Sequence, residues 1–193
     1  MVETALKPMT PEEFFHWQLD QEERYELVDG FPVKMETGAS ERHDRIVVNI
    51  IISLGTQLRG TRCRPVTADV AVRTRIKGVR RPDITVTCGE PRDDSYEAQE
   101  PKMIVEVLSP SNAGVVWQRK LEEYRRLQGL AYILLVDGRR PQATLLQRTA
   151  SEWESIDADG LEAAFDLPAV GCRLPMRDIY EGVTFEDASP RRA

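Results

Sequence analysis

Cysteine and histidine are scarce in this chain of 193 residues, with three of one and two of the other. Cys63, Cys88 and Cys172 lie far apart and form no CxxC pair. Neither a disulfide framework nor a structural zinc site is expected from them, only small buried thiols. His16 and His43 are too few for a multi-histidine metal centre. A metal, if one binds, must be held by carboxylates, which favours hard cations such as magnesium or manganese. No apolar run approaches the roughly eighteen residues that a spanning helix needs. Met1–Thr10 lacks the hydrophobic core of a signal peptide. The expectation is a cytoplasmic protein with no membrane partner. There is no internal repeat, no low-complexity linker, and no nucleophile elbow or triad of a small-molecule hydrolase. No helix-turn-helix or zinc finger is visible either.

What is present suits an ordinary folded domain. Hydrophobic residues make up 41% and charged residues 30%, too apolar a balance for disorder. The length fits a single domain over 1–193, which should bury roughly 70% of its unfolded surface. The net charge of -6 argues mildly against a nucleic-acid partner. Local charge says more. Acids crowd into Glu12–Asp29 and Asp93–Glu100. Bases crowd into Arg73, Arg75, Lys77, Arg80 and Arg81, and again into Arg119, Lys120, Arg125 and Arg126. Each group, taken alone, reads as a solvated face.

Pattern places the elements. Pro11–Glu23 reads as a helix, with Thr10 as N-cap and Glu13 completing a capping box. Tyr25–Asp29 and Phe31–Glu36 flank Asp29-Gly30, a strong hairpin signal. Apolar residues recur at helical steps from Ser40 to Arg59. Val66, Ala68, Val70 and Val72 alternate with other residues as in a strand. Pro82–Thr87 is a short strand, and Gly89–Glu100 is loop-like. Lys102–Leu108 is a buried strand, followed by a helix over Val115–Gln128. Ala131–Val136, Ala143–Gln147 and Trp153–Ile156 read as further strands. Beyond Phe165 the chain looks irregular, with a short helix near Met176–Tyr180. The order predicts an α/β or α+β fold: a mixed β-sheet flanked by helices, preceded by a helix and a β-hairpin.

Three residues stand out for chemistry. Glu106 lies in the most apolar strand of the chain, where an unpartnered carboxylate is strongly unfavourable. It must pair with a base, hold a proton or bind a cation. Asp83 follows Pro82 at a strand start, a place also common in turns. If its strand lies beside that of Glu106, the two carboxylates converge, and a divalent cation would relieve their repulsion. Lys120 sits at the edge of its helix's packed face. It either pairs with Glu122 or Glu123 at the surface or turns towards the carboxylates.

Several segments together carry a resemblance. They are Tyr25-Glu26-Leu27-Val28-Asp29-Gly30, His43, Pro82-Asp83, Val105-Glu106-Val107-Leu108-Ser109-Pro110-Ser111, Lys120 with Tyr124, and Tyr132-Ile133-Leu134-Leu135-Val136-Asp137. Their order and spacing resemble the Uma-two-type family of restriction-endonuclease-like proteins, within the PD-(D/E)XK nuclease superfamily. The likeness runs from about Met9 to Asp187. It implies a magnesium-dependent (or manganese-dependent) endonuclease acting on DNA as a homodimer, with no small-molecule cofactor. By position, Asp83 is the aspartate of the PD element and Glu106 the second acid. Val107 would offer its carbonyl to the metal. Leu108 stands where a lysine usually follows, which points to Lys120 on the next helix. Glu26 matches an additional acidic position of the family, binding metal or holding the lysine. Arg73, Arg75, Lys77, Arg80 and Arg81 would then contact the DNA backbone beside the PD strand. His43 falls at a frequent family histidine without an assigned role. Val116 stands where the family often has an acid. That departure keeps a second expectation open: a catalytically impaired nuclease fold that binds DNA or a protein partner.

Overall fold

The computed structural model describes residues 7–35, 40–75, 77–108 and 115–185. Helix α1 (Pro11–Leu19) starts as its sequence demands: the Thr10 side chain accepts from the Glu13 N–H, and the Glu13 side chain accepts from the Thr10 N–H. It ends at Leu19, short of the expected Glu23. Gln18 turns to the main chain beyond the helix, donating to the Glu23 carbonyl and accepting from the Tyr25 N–H. Strands β1 (Tyr25–Val28) and β2 (Phe31–Lys34) form the expected hairpin. Its two loop residues, Asp29 and Gly30, have φ of 53° and 89°, the paired positive values of a type I′ turn. A Cβ at Gly30 would also fall 2.7 Å from that of Pro8.

Helix α2 (Glu41–Gln57) is capped by Ser40 and buries Ile46, Ile50 and Leu54 along one stripe. The alternating run around Val66–Val72 is not one strand. It breaks into β3 (Arg64–Thr67) and β4 (Val72–Arg75), which belong to different sheets. The intervening turn is pinned by Arg81, whose guanidinium donates to the Ala68 and Asp69 carbonyls. Strands β5 (Gly78–Arg80), β6 (Ile84–Thr87) and β7 (Pro101–Leu108) follow. Helix α3 (Val115–Arg125) then leads to β8 (Tyr132–Asp137), β9 (Gln142–Arg148) and β10 (Trp153–Asp159).

Six strands form the larger sheet in the order β10-β9-β8-β7-β6-β3, with only β7 and β8 parallel. Four form the smaller one, β2-β1-β5-β4. This is the mixed sheet with flanking helices that the element order predicts, divided into two. Met103, Val105 and Val107 of β7 join Ile46, Ile50 and Leu54 in one apolar layer. Ile104, on the opposite face, packs with Tyr124 of α3 and with Leu130 and Ile133. Burial on both faces explains why β7 and β8 read as unbroken apolar runs.

Past Phe165 the structure is more regular than expected. Strands β11 (Ala164–Leu167) and β12 (Cys172–Pro175) form an antiparallel hairpin. Phe165, Leu167, Cys172 and Leu174 drop into the α2 layer. The four-residue helix α4 (Met176–Ile179) falls where a short helix is predicted. Among the described residues no helix is long and apolar enough to cross a membrane.

The expectation of three thiols is overturned. Cys63 and Cys88 form a disulfide, and only Cys172 is free and buried. The cause is strand register: Arg64 pairs with Thr87, so the residues just outside them face each other. Spacing motifs do not detect a bond between residues 25 apart on two paired strands. Closing a loop of that length should contribute about 3 kcal/mol through the unfolded chain. Urea unfolding with and without reductant should show a lower midpoint for the reduced protein, and Cys63→Ser should lose that dependence.

Candidate active site

Glu106 points from β7 to the face covered by α3, and its residue is only 4% exposed. Its Oε1 receives two donors. Lys120 Nζ lies 2.7 Å away and the Tyr124 hydroxyl donates at 2.7 Å. Lys120 and Tyr124 are four residues apart on α3, which places both on one helix face. Lys120 Nζ is also 3.4 Å from Glu26 Oε1 on β1. The helix lysine therefore sits between two buried carboxylates.

Asp83 immediately precedes β6. Ile84 pairs with Val105, so the same register sets Asp83 opposite Glu106. Pro82 interrupts the ladder just before it, and the Val107 N–H donates to Asp83 Oδ2 at 2.7 Å instead of to a strand carbonyl. His43, in the first turn of α2, brings Nε2 to 3.4 Å from the same oxygen. The resemblance gives that histidine no role; the structure puts it beside Asp83.

Charge state follows from this packing. Burial, reinforced by the Asp83 charge, pushes the Glu106 carboxyl up to about 7, with Lys120 and Tyr124 partly offsetting it. Burial would also raise Glu26, but Lys120 and Arg80 outweigh it and hold that carboxyl below its ordinary value. Lys120 is raised: burial opposes its charge, and Glu106 and Glu26 more than compensate. The hydrogen bond to Asp83 raises His43 above its ordinary value, against the opposing effect of burial.

Behind the site runs a second buried link. Arg80, 3% exposed, donates to both oxygens of Glu123, at 2.8 and 3.0 Å, and to Glu26 Oε2 at 2.8 Å. Glu123 also accepts from the Thr74 hydroxyl. Charges thus alternate from Glu106 through Lys120, Glu26 and Arg80 to Glu123.

This fold and site can be set beside known proteins. The family model described as "Putative restriction endonuclease" matches residues 11–177. The chain belongs to the Uma2 family. Two proteins of Synechocystis sp. (strain ATCC 27184 / PCC 6803 / Kazusa) are similar to this Uma2 chain. The uncharacterized protein slr1290 is 27% identical over 92% of this chain and 94% of its own. The uncharacterized protein sll1609 is 28% identical over 71% of this chain and 79% of its own. The fold resembles a crystal structure from Anabaena variabilis titled "a putative nuclease belonging to DUF820". Its TM-score is 0.69 at 18% identity, over 89% of this chain and 97% of that one.

For this Uma2 chain, the structure brings Glu26, Asp83, Glu106, Val107 and Lys120 together, and it adds Tyr124 and His43. It does not gather the basic run with them as a free surface. Arg73 pairs with Glu97 and Glu12. Arg80 is buried in the charge chain, and Arg81 bonds main-chain carbonyls of Tyr25, Ala68 and Asp69. Of the five, Arg75 is half-buried and Lys77 exposed. Arg119 pairs with Asp29. That Arg73 and Arg80 find salt-bridge partners on α1, β1, α3 and the loop before β7 was not visible in the run itself. Among the described residues no three of His, Cys, Asp and Glu are arranged to hold a metal ion. The Val116 side chain, where the family often has an acid, lies outside the described residues.

Proposed function

We propose that this Uma2 chain is a divalent-cation-dependent endonuclease that hydrolyses DNA phosphodiester bonds. One observation carries the reading: a buried carboxylate, Glu106, is set by strand register opposite Asp83 and is touched by a helix lysine at 2.7 Å. The donor set suits a hard cation. Asp83 and Glu106 offer carboxylate oxygens, and both contacts on Glu106 fall on Oε1, which leaves Oε2 for another partner. In a strand, a residue's N–H and C=O face the same neighbour, so the Val107 carbonyl shares the edge of Asp83. Asp83, Glu106 and Val107 would hold Mg²⁺ or Mn²⁺. When bound, such an ion polarises a phosphate oxygen and lowers the pKa of water.

The chain's own residues do the rest. Lys120 orients the attacking water and offsets the charge that develops on the phosphorus oxygens. Glu26, tied to Arg80 and to the Arg81 N–H, holds Lys120 in place. Tyr124 fixes the Glu106 carboxylate. Lys77 and Arg75 remain suited to phosphate contacts, whereas Arg73, Arg80 and Arg81 support the protein itself. We take the working unit to be a homodimer, as the family resemblance implies. Cleavage of plasmid and single-stranded DNA in Mg²⁺ or Mn²⁺ tests the reading. Cation and DNA binding without any cleavage would favour the impaired module instead.

The raised Glu106 gives a pH dependence. Cation binding needs the ionised carboxylate, so it should strengthen as pH rises to about 7 and level off above. Below that point a proton competes, and affinity should fall about tenfold per pH unit. Calorimetric titration with Mn²⁺ at pH 6 and pH 8 should show weaker binding at the lower value, with proton release.

A further inference from the structure

Arg81 is only 6% exposed, yet the hydrogen bonds of its guanidinium go to main-chain carbonyls alone. Those bonds use Nε and Nη1. Among the described residues no carboxylate forms an ion pair with it and none offers Nη2 an acceptor. A buried cation in that position is unfavourable without an anionic partner. Burial and the nearby charge of Arg24 work against its protonated form, and the charges of Asp69 and Glu26 offset them only in part.

Arg81 lines a groove of about 330 Å³. Phe15, Leu19 and Tyr96 supply apolar walls, and Leu19 and Tyr96 stay 59% and 50% exposed. Arg24 and Asp69 also line it, paired to each other. Two guanidinium groups therefore face a single carboxylate. No residue of the acidic pocket lines this groove. Arg81 divides the two, with its N–H on Glu26 and its guanidinium towards Tyr25, Ala68 and Asp69.

We propose that this groove binds a small organic anion, a carboxylate carried on an aromatic or branched aliphatic body. The carboxylate meets Arg81 Nη2 and Arg24, and the apolar body covers Phe15, Leu19 and Tyr96. Concave apolar walls with a few convergent polar groups are the usual form of such a site. The charge balance selects an anion over a neutral or cationic ligand. The site is independent of DNA cleavage and stands or falls without it.

The test is a two-dimensional NMR titration of the full chain with 3-phenylpropionate and, separately, with its neutral amide. The acid should give saturable shifts centred on Leu19, Tyr96 and the Arg81 side-chain N–H. The amide should bind at least tenfold more weakly. Arg81→Met removes three main-chain hydrogen bonds and risks misfolding, so the variants are Leu19→Glu and Tyr96→Ala at exposed positions. Each should weaken binding of the acid at least fivefold. Equal binding of acid and amide, shifts scattered away from the groove, unchanged affinity in both variants, or no saturable shift would each overturn the proposal.

Discussion

Lys120→Met should lower cation-dependent DNA cleavage by about a hundredfold to a thousandfold, the usual effect of removing one preorganised charge from a transition state. The methionine keeps the volume of the lysine stem and removes only the ammonium. Glu106 then keeps Tyr124 but loses its cationic neighbour, so its carboxyl moves further up from about 7. At pH 7 the variant should therefore bind Mn²⁺ more weakly and also turn over more slowly once saturated. Asp83→Asn and Glu106→Gln should remove cation binding itself. Single-turnover cleavage at saturating Mn²⁺ separates the two effects. Cleavage within tenfold of the parent in all three variants would point to a contaminant or to a different site.

A large loss of stability is expected from Arg80→Met. That guanidinium holds Glu26 and Glu123 at once, and all three groups are nearly removed from solvent. Breaking a buried pair leaves an uncompensated charge and costs about 3–5 kcal/mol. For a chain of this size that is a fall of about 10 °C in the unfolding temperature. Arg119→Ala, at a side chain 39% exposed, should change it little. If Arg80→Met melts within 2–3 °C of the parent, the charge chain is not what joins the small sheet to α3. Adding Glu123→Gln should recover part of the loss, because it removes one of the stranded anions.

Much of this was legible in the sequence because it was local. The Asp29-Gly30 turn, the Thr10–Glu13 box and the apolar runs of β7 and β8 each announce themselves within a few residues. Glu106 was legible for the same reason, as a lone charge in an apolar strand. What escaped depends on partners far along the chain. A single alternating pattern around Val66–Val72 does not reveal that its ends join two sheets. The β11–β12 hairpin did leave a trace, since Phe165 with Leu167 and Cys172 with Leu174 alternate, but four-residue strands hardly exceed chance. Cys63 and Cys88 become neighbours only through strand pairing. The basic run misled most. Its charges suggested an open face for phosphates, whereas Glu12, Glu97, Glu26 and Glu123 take up Arg73 and Arg80. Lys120 stood out by its place at the edge of a packed helix face, but only the family resemblance separated an inward lysine from an exposed one.

That lysine rides on a helix while its acid is fixed in a strand. Its reach to Glu106 is set by how α3 rests on the sheet, and so by the buried cluster they share: Ile104, Tyr124, Leu130 and Ile133. Interiors of this density transmit the loss of a single methylene. Small displacements of a catalytic group are felt strongly in rate. Trimming Ile104, Leu130 or Ile133 would thus act as a tuning screw on the chemistry, and evolution can turn it without touching a single acid.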